Sequence, residues 1–255
     1  MKVSLIQMDP VWENPSENRE KAEALIRKTS GADLVVLPEM FSTGFVTEPE
    51  GVAESDDGES LAMMKGLSAE LRCAIAGSIA VREGKSGAYR NRFYFVKPDG
   101  TIAYYDKRHL FTYGGEHLHF KAGEKRVTVE HCGMRILLQV CYDLRFPVFS
   151  RNRKGGERYD MVLYVASWPQ ARIGAWDALL KARAIENQCY VAAVNRVGND
   201  PFNVYCGHSV LIDPYGKILS ECKENEVDTV VAEADIVLLE AFRKKFPVLE
   251  DSDTD

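Results

Sequence analysis

The sequence predicts a layered α/β sandwich built on mixed β-sheets, and two observations carry that prediction. First, the runs Asp33 to Leu37 and Met161 to Ala166 are apolar on both faces, as strands are when a sheet is covered on both sides. Second, helical periods separate some strands while turn-rich hairpins separate others. That combination excludes a purely parallel doubly wound sheet as well as an all-β fold.

The elements follow in order. Val3 to Gln7 alternates and is β-rich, so it reads as a first strand. Asn14-Pro15 offers an N-cap with proline at the first helical position, and Ala22, Leu25 and Ile26 make the apolar stripe of the helix that follows. The strand Asp33 to Leu37 stops at Pro38-Glu39. Ser60 to Arg72 has helical period and Cys73 to Val81 is a strand. Pro98-Asp99-Gly100 is a hairpin turn between Phe93 to Val96 and Thr101 to Tyr105. Cys132-Gly133 is a second turn, between Arg126 to His131 and Met134 to Val140, and a short helix starts near Phe146. Met161 to Ala166 is a strand, Trp176 to Asn187 a helix and Tyr190 to Asn195 a strand. His208 to Ile212 and Lys217 to Ser220 flank the turn Asp213-Pro214-Tyr215-Gly216. Thr229 to Ala234 is the last strand and Val237 to Lys245 the last helix. No repeat or linker interrupts the pattern, which predicts a single domain over 1–255 with a C-terminal tail over roughly 242–255.

The balance of charge narrows the partners. A formal charge of −6, with acids and bases mixed along the chain, argues against a nucleic-acid partner held by a basic face. No run approaches the roughly 18–20 apolar residues of a membrane span, and the N-terminal MKVSLIQMDP is too short in apolar residues for a signal peptide. A cytoplasmic address is expected. Six widely spaced cysteines without a C-x-x-C read as thiols rather than bridges or a zinc site. The G-x-G-x-x-G, P-loop and G-x-S-x-G signatures are all absent.

Three doubly buried strands end in something polar or unusual: Glu39, Cys141 and Ser167-Trp168. Glu39 follows Leu34 to Pro38 and precedes Met40-Phe41, so a residue that is ordinarily solvated is expected to be desolvated here, the condition that suits a general base. Cys141 ends the apolar run Met134 to Val140. Alone it reads equally as a small hydrophobe closing a buried strand or as a nucleophile at the strand's end. Lys107, in Asp106-Lys107-Arg108-His109, is either a solvated turn lysine or an ammonium aimed at an oxyanion or thiolate. His117 and His119 alternate like strand neighbours but lack a further Cys/His pair, so no metal is expected. Cys73 and Cys189 read as buried, while Cys132, Cys206 and Cys222 fall in turn-like or exposed settings.

Taken together, Leu37-Pro38-Glu39, Asp106-Lys107-Arg108-His109-Leu110-Phe111 and Val140-Cys141-Tyr142-Asp143-Leu144-Arg145-Phe146-Pro147 resemble the nitrilase (carbon–nitrogen hydrolase) superfamily over nearly the whole chain. Arg183-Ala184-Ile185-Glu186-Asn187 and the segment from Gly207-His208-Ser209 to Asp213-Pro214-Tyr215-Gly216 belong to the same likeness. Within the superfamily, Glu116 to Gly123 and Ala166-Ser167-Trp168-Pro169 are similar to the bacterial ω-amidases of the YafV type. The resemblance implies a four-layer α-β-β-α sandwich with two mixed β-sheets. It makes Cys141 the nucleophile, Glu39 the general base and Lys107 the cationic stabiliser. Glu116 becomes the second glutamate that orients the lysine or the substrate amide, and the Tyr142 N–H an oxyanion donor. It calls for no metal and no cofactor. Asp143, Arg145, Glu186 and Asn187 are expected to shape their surroundings rather than to react.

An ω-amidase resemblance further implies a small-molecule amide substrate with a carboxylate at its other end, as in 2-oxoglutaramate or 2-oxosuccinamate. An arginine suits that carboxylate, and Arg172, just beyond Trp168-Pro169, is the candidate, with Trp168 as a pocket wall. Two other readings stay open. One is an amidase of the same superfamily acting on N-carbamoyl or other small amides. The other is a non-catalytic protein that keeps the fold, disfavoured because Glu39, Lys107 and Cys141 are all present. A homodimer is expected, with Phe246, Pro247, Val248 and Leu249 under the partner.

Overall fold

Strand β1 (Lys2–Gln7) leads into helix α1 (Pro15–Ile26), whose N-cap Asn14 accepts a hydrogen bond from the Glu17 N–H at 3.3 Å. These and all later elements come from a computed structural model that describes residues 1–29 and 31–252. Next come β2 (Leu34–Val36), the two-residue β3 (Glu54–Ser55), α2 (Glu59–Leu71), β4 (Ala74–Arg82), β5 (Tyr89–Val96) and β6 (Ile102–Asp106). A four-residue helix α3 (Glu116–His119) precedes the hairpin of β7 (Thr128–His131) and β8 (Met134–Val140). Then follow α4 (Pro147–Ser150), β9 (Met161–Ala166), α5 (Ile173–Asn187) and β10 (Tyr190–Asn195). A small ribbon, β11 (Val197–Asn199) with β12 (Val204–Cys206), leads to β13 (Val210–Ile212), β14 (Ile218–Glu221), β15 (Asp228–Glu233) and α6 (Ile236–Lys245).

Two mixed sheets result. One runs β15-β1-β2-β4-β5-β6 with β3 beside β4, the other β14-β13-β10-β9-β8-β7. At the centre of each, three strands are parallel: β1, β2 and β4 in the first, β8, β9 and β10 in the second. The sheets pack face to face, and side-chain alternation assigns the layers. Leu34 and Val36 join Leu163, Val165 and Val140 between the sheets. Val35 and Leu37 turn to the layer of α1 and α2, with Ala22, Ile26 and Met64. Val162, Tyr164 and Ala166 turn to α5, with Trp176, Leu180 and Ala184. The four-layer α-β-β-α sandwich expected above is the architecture found. Both faces of the central strands are buried, which is why those strands carry no polar alternation in the sequence.

Some readings need correction. The segment holding His117 and His119 is a helical turn rather than a strand, begun by Gly115 in the left-handed region at φ 82°. Cys206 and Cys222 are buried, not exposed. Within the expected tail, Phe242 lies inside α6 and Leu249 is buried against its own chain, while 253–255 lie outside the described residues. Phe246 and Val248 remain exposed. Among the described residues, no helix is long and apolar enough to cross a membrane.

Candidate active site

The carboxyl ends of β2, β8 and β9 reach one rim, and each delivers a polar group there. Beyond β2 the chain breaks from its sheet at Pro38, and the Glu39 side chain is completely buried. Its Oε1 accepts from Lys107 Nζ at 2.9 Å and from Asn91 Nδ2 at 2.8 Å. Its Oε2 accepts from the Ser167 N–H, just past β9, at 2.8 Å. Lys107 follows β6. Its backbone is held by Asn91 and by Gly123, a position where any Cβ would lie 2.1 Å from the Asp106 carbonyl. Its ammonium also donates to both oxygens of Glu116, at 3.1 and 2.9 Å. Glu116 opens α3, accepts from the Phe111 N–H at 2.6 Å and from Asn91 at 3.1 Å, and is itself fully buried.

Cys141 follows β8 at φ 43°, in the left-handed region that non-glycine side chains avoid. The sharp turn, the start of a 3-10 helix over Cys141–Arg145, lifts the thiol off the sheet. Asp143 fixes that turn. It accepts from the Val140 N–H (2.9 Å), the His109 N–H (3.0 Å) and the Tyr105 hydroxyl (2.8 Å). Cys141 and Lys107 both line a cavity of about 540 Å³.

A sequence model of the family described as Carbon-nitrogen hydrolase matches residues 2–244. This chain belongs to that family. The carbon–nitrogen hydrolase chain is 44% identical to Omega-amidase YafV of Escherichia coli, over 99% of this chain and 97% of that protein. It is 38% identical to a 2-oxoglutaramate amidase of Bacillus subtilis, over 98% and 96%. Its fold superposes with a TM-score of 0.96, at 44% identity, on a crystal structure of a CN-hydrolase superfamily protein from Xanthomonas campestris that holds an arsenic adduct in its active site. That likeness covers 100% of this chain and 98% of the other.

The electrostatics of this hydrolase site are set by burial. Two carboxylates share one ammonium, so a thiolate beside them adds a third negative charge. Desolvation, and then the Glu39 charge, push the Cys141 thiol well above its ordinary value, with Lys107 pulling the other way. Desolvation also raises Glu116, against the pull of Lys107. For Lys107 burial disfavours the charge, but Glu116 and Glu39 outweigh it and hold the ammonium protonated. Burial and the Glu39 charge thus favour the neutral thiol, which suits proton transfer during attack rather than a standing thiolate.

The structure brings all seven sequence-selected residues to this place. Lys107, Cys141, Tyr142, Trp168 and Arg172 line the cavity, and buried Glu39 and Glu116 pair with Lys107. The Trp168 N–H donates to Asn195 Oδ1 at 2.7 Å, and its indole N–H donates to the Arg172 carbonyl at 2.9 Å, so the wall and the arginine are tied together. The sequence reading missed Asn91, which bridges both glutamates, and the Ser167 N–H. It also left Arg145 with a shaping role, yet that guanidinium lines the cavity 4.8 Å from the Trp168 ring centroid. Among the described residues, neither Arg145 nor Arg172 has a carboxylate within 4.0 Å, so the cavity lining carries two cations without an acidic partner.

Proposed function

We propose that this protein is an ω-amidase that hydrolyses the terminal amide of short dicarboxylic acid monoamides, 2-oxoglutaramate and 2-oxosuccinamate among them, to the dicarboxylate and ammonia. The observation that carries this reading is the lining of one cavity. The Cys141 thiol and the Lys107 ammonium, the latter held by buried Glu39 and Glu116, share it with Arg145 and Arg172, neither of which has a carboxylate partner among the described residues. A substrate with an amide at one end and a carboxylate at the other matches both sets of groups. The full-length likeness to Omega-amidase YafV and to a 2-oxoglutaramate amidase supports the same choice.

The chemistry follows from the residues. An amide carbon is a weak electrophile, so attack needs a strong nucleophile and a stabilised oxyanion. Cys141 Sγ adds to the carbonyl carbon as its proton passes to Glu39. The oxyanion is met by the Lys107 ammonium and the Tyr142 N–H, which lies at the start of a helical turn, where N–H groups lack a partner inside the turn. Glu39 returns the proton to the departing nitrogen, ammonia leaves, and an acyl thioester remains on Cys141. Glu39 then takes a proton from water, the hydroxide adds to the thioester, and the thiolate leaves and recovers its proton. Glu116 and Asn91 hold Lys107 and Glu39 in register throughout. The carboxylate of the substrate pairs with Arg172, assisted by Arg145.

The reading extends to the whole chain as one domain, acting in the cytoplasm as a homodimer. Exposed Val237, Leu238, Phe246 and Val248 around α6 are the apolar surface a second subunit would cover. Sedimentation at micromolar concentration tests the dimer, and a monomer alone removes it. The substrate is tested by ammonia release from 2-oxoglutaramate, succinamate, glutamine, N-carbamoyl amino acids and a simple nitrile. Preference for the 2-oxo monoamide is expected. Preference for the carbamoyl compounds would replace this reading with the other amidase one.

A further inference from the structure

On the far side of the strand that supplies Tyr205 to the cavity, three donors of different chemistry meet. Successive side chains alternate across β12, so Tyr205 faces the cavity and Cys206 the opposite way. Ligand atoms of Cys206, His208 and Glu224 all lie within 4.8 Å of one another. His208 sits at φ 66°, again in the left-handed region, and precedes β13. Its Nδ1 is 3.0 Å from Asp177 Oδ1 and 3.2 Å from Oδ2. A carboxylate only accepts, so Nδ1 carries the hydrogen. Nε2 then faces Glu224 Oε1 at 3.9 Å. With a carboxylate at each ring nitrogen, either a second proton on Nε2 or a cation between Nε2 and Glu224 satisfies the arrangement.

We propose that Cys206, His208 and Glu224 form a binding site for a zinc-class divalent ion, with Asp177 holding the imidazole from behind. The donor set is one soft anion, one imidazole and one hard anion, which together offset the ion's two charges and leave a fourth position for water. A tetrahedral ion needs donor separations of about 3.3–3.6 Å, so the side chains must close from separations of up to 4.8 Å, the His208–Glu224 pair from 3.9 Å. Glu224 is exposed and free to make that movement. Binding forms a metal–sulfur bond and releases the Cys206 proton to water. A carboxylate behind the ligating histidine is the usual second partner of such sites, fixing tautomer and ring plane. Access is from solvent on the side of the exposed Glu224.

The ion would clamp the turn at Glu224 to the corner between β12 and β13. That corner touches the active site indirectly. The Gly207 carbonyl accepts from Asn195 Nδ2 at 2.7 Å, and the same Asn195 holds the Trp168 N–H. The site is thus distinct from the catalytic cavity and two hydrogen bonds from its wall.

Cobalt(II) is the probe, because a thiolate ligand gives it a charge-transfer band and a tetrahedral field gives it visible absorption. The titration uses the full chain carrying Cys141→Ala and Cys132→Ala, which removes the cavity thiol and the exposed one. One equivalent is expected, with both absorptions, displaced by zinc. Adding Cys206→Ala should abolish the charge-transfer band, and Asp177→Asn should weaken binding about 10- to 100-fold. Absence of the band, or its survival in Cys206→Ala, overturns the proposal. Should Cys206→Ala fail to fold, His208→Gln and Glu224→Gln decide instead. Undiminished cobalt affinity in both overturns the site, and loss in both supports it.

Discussion

The two rims of the second sheet are built from similar residue types and differ in what those residues have left over. At the amino ends of β8, β9 and β10, buried Asp160 accepts from Arg243 Nη1 at 2.6 Å and from the Arg135 N–H at 2.9 Å, with the Arg135 guanidinium at 3.4 Å. Cys189 lies just before β10, fully buried, its thiol pushed up by desolvation to about 12. At the carboxyl ends, two buried glutamates share a single lysine, and Cys141 opens onto a cavity. At the amino rim two arginines share the one buried carboxylate of Asp160, and the Cys189 thiol faces packed side chains. At the carboxyl rim two buried carboxylates share the one ammonium of Lys107, and the Cys141 thiol faces space for a substrate. Buried charge and a thiol are therefore not enough to make a reactive site. The surplus proton acceptor and the open face separate the two rims.

The sharpest way to break this contrast is to exchange the thiols' fates. Cys141→Ala and Cys141→Ser should lower ammonia release by on the order of 10⁴-fold or more, to background, with the far-ultraviolet circular dichroism unchanged. Cys189→Ala should leave kcat/KM near the wild-type value and cost about 1 kcal/mol of stability through a small buried void. Cys222→Ala behaves the same way, since that side chain is also buried. Turnover in Cys141→Ala comparable to wild type would end the nucleophile assignment.

The surplus acceptor is tested next. Glu39→Gln keeps the shape and can still accept from Lys107, but it cannot take a proton. A loss of roughly 10²- to 10⁴-fold in kcat is expected, with KM little changed. Lys107→Met is a different experiment, because it leaves two buried carboxylates without their cation and should destabilise the fold by about 3–5 kcal/mol. If Glu39→Gln retained full kcat, the proton acceptor would have to be sought elsewhere.

These residues were unequally legible in the sequence. Glu39 and Cys141 could be placed because each directly ends a run of buried aliphatics, and a strand's end is a fixed point. Lys107 and Glu116 needed the family resemblance, since a charged turn and a loop glutamate look solvated without it. Asn91 was invisible for a physical reason. In the strand sequence YRNRFYFV it occupies a polar position like its neighbours Arg90 and Arg92, and nothing local says that the position is buried. The helix at Glu116 was mistaken for a strand because His117 and His119 alternate, whereas the left-handed Gly115 sets the turn. The β11–β12 ribbon was missed because Gly198, Asn199 and Pro201 read as a loop. Arg145 belongs to a motif whose neighbour Asp143 is structural, and only the packing against Trp168 reveals that the two side chains part ways.

At the two arginines of the cavity lining the effect should be smaller and depend on the substrate. Arg172→Ala is expected to lower kcat/KM for 2-oxoglutaramate by roughly 30- to 1,000-fold, the worth of one charge-assisted contact of about 2–4 kcal/mol. A neutral amide of similar length should lose little. Arg145→Ala should show the same pattern more weakly, being the more exposed of the two. Equal losses on charged and neutral amides would mean that the arginines shape the wall and do not receive the carboxylate.

The amino rim should give the smallest catalytic effect of all. Asp160→Asn preserves size and keeps one oxygen to accept from the Arg135 N–H, but removes the charge that Arg243 and Arg135 share. Arg243 would retain the Tyr159 carbonyl at 2.7 Å and the Gln188 carbonyl at 3.0 Å, so its guanidinium would not be stranded. The cost should therefore stay near that of a charge-assisted hydrogen bond, about 1–3 kcal/mol, seen as a lower urea midpoint at unchanged slope. Because this carboxylate pairs with arginines at the end of the sheet opposite Cys141, kcat/KM should remain within about twofold of wild type, a surface-like effect for a residue remote from the chemistry. A large loss of turnover with stability intact would show the two rims to be coupled, and the contrast drawn between them would fail.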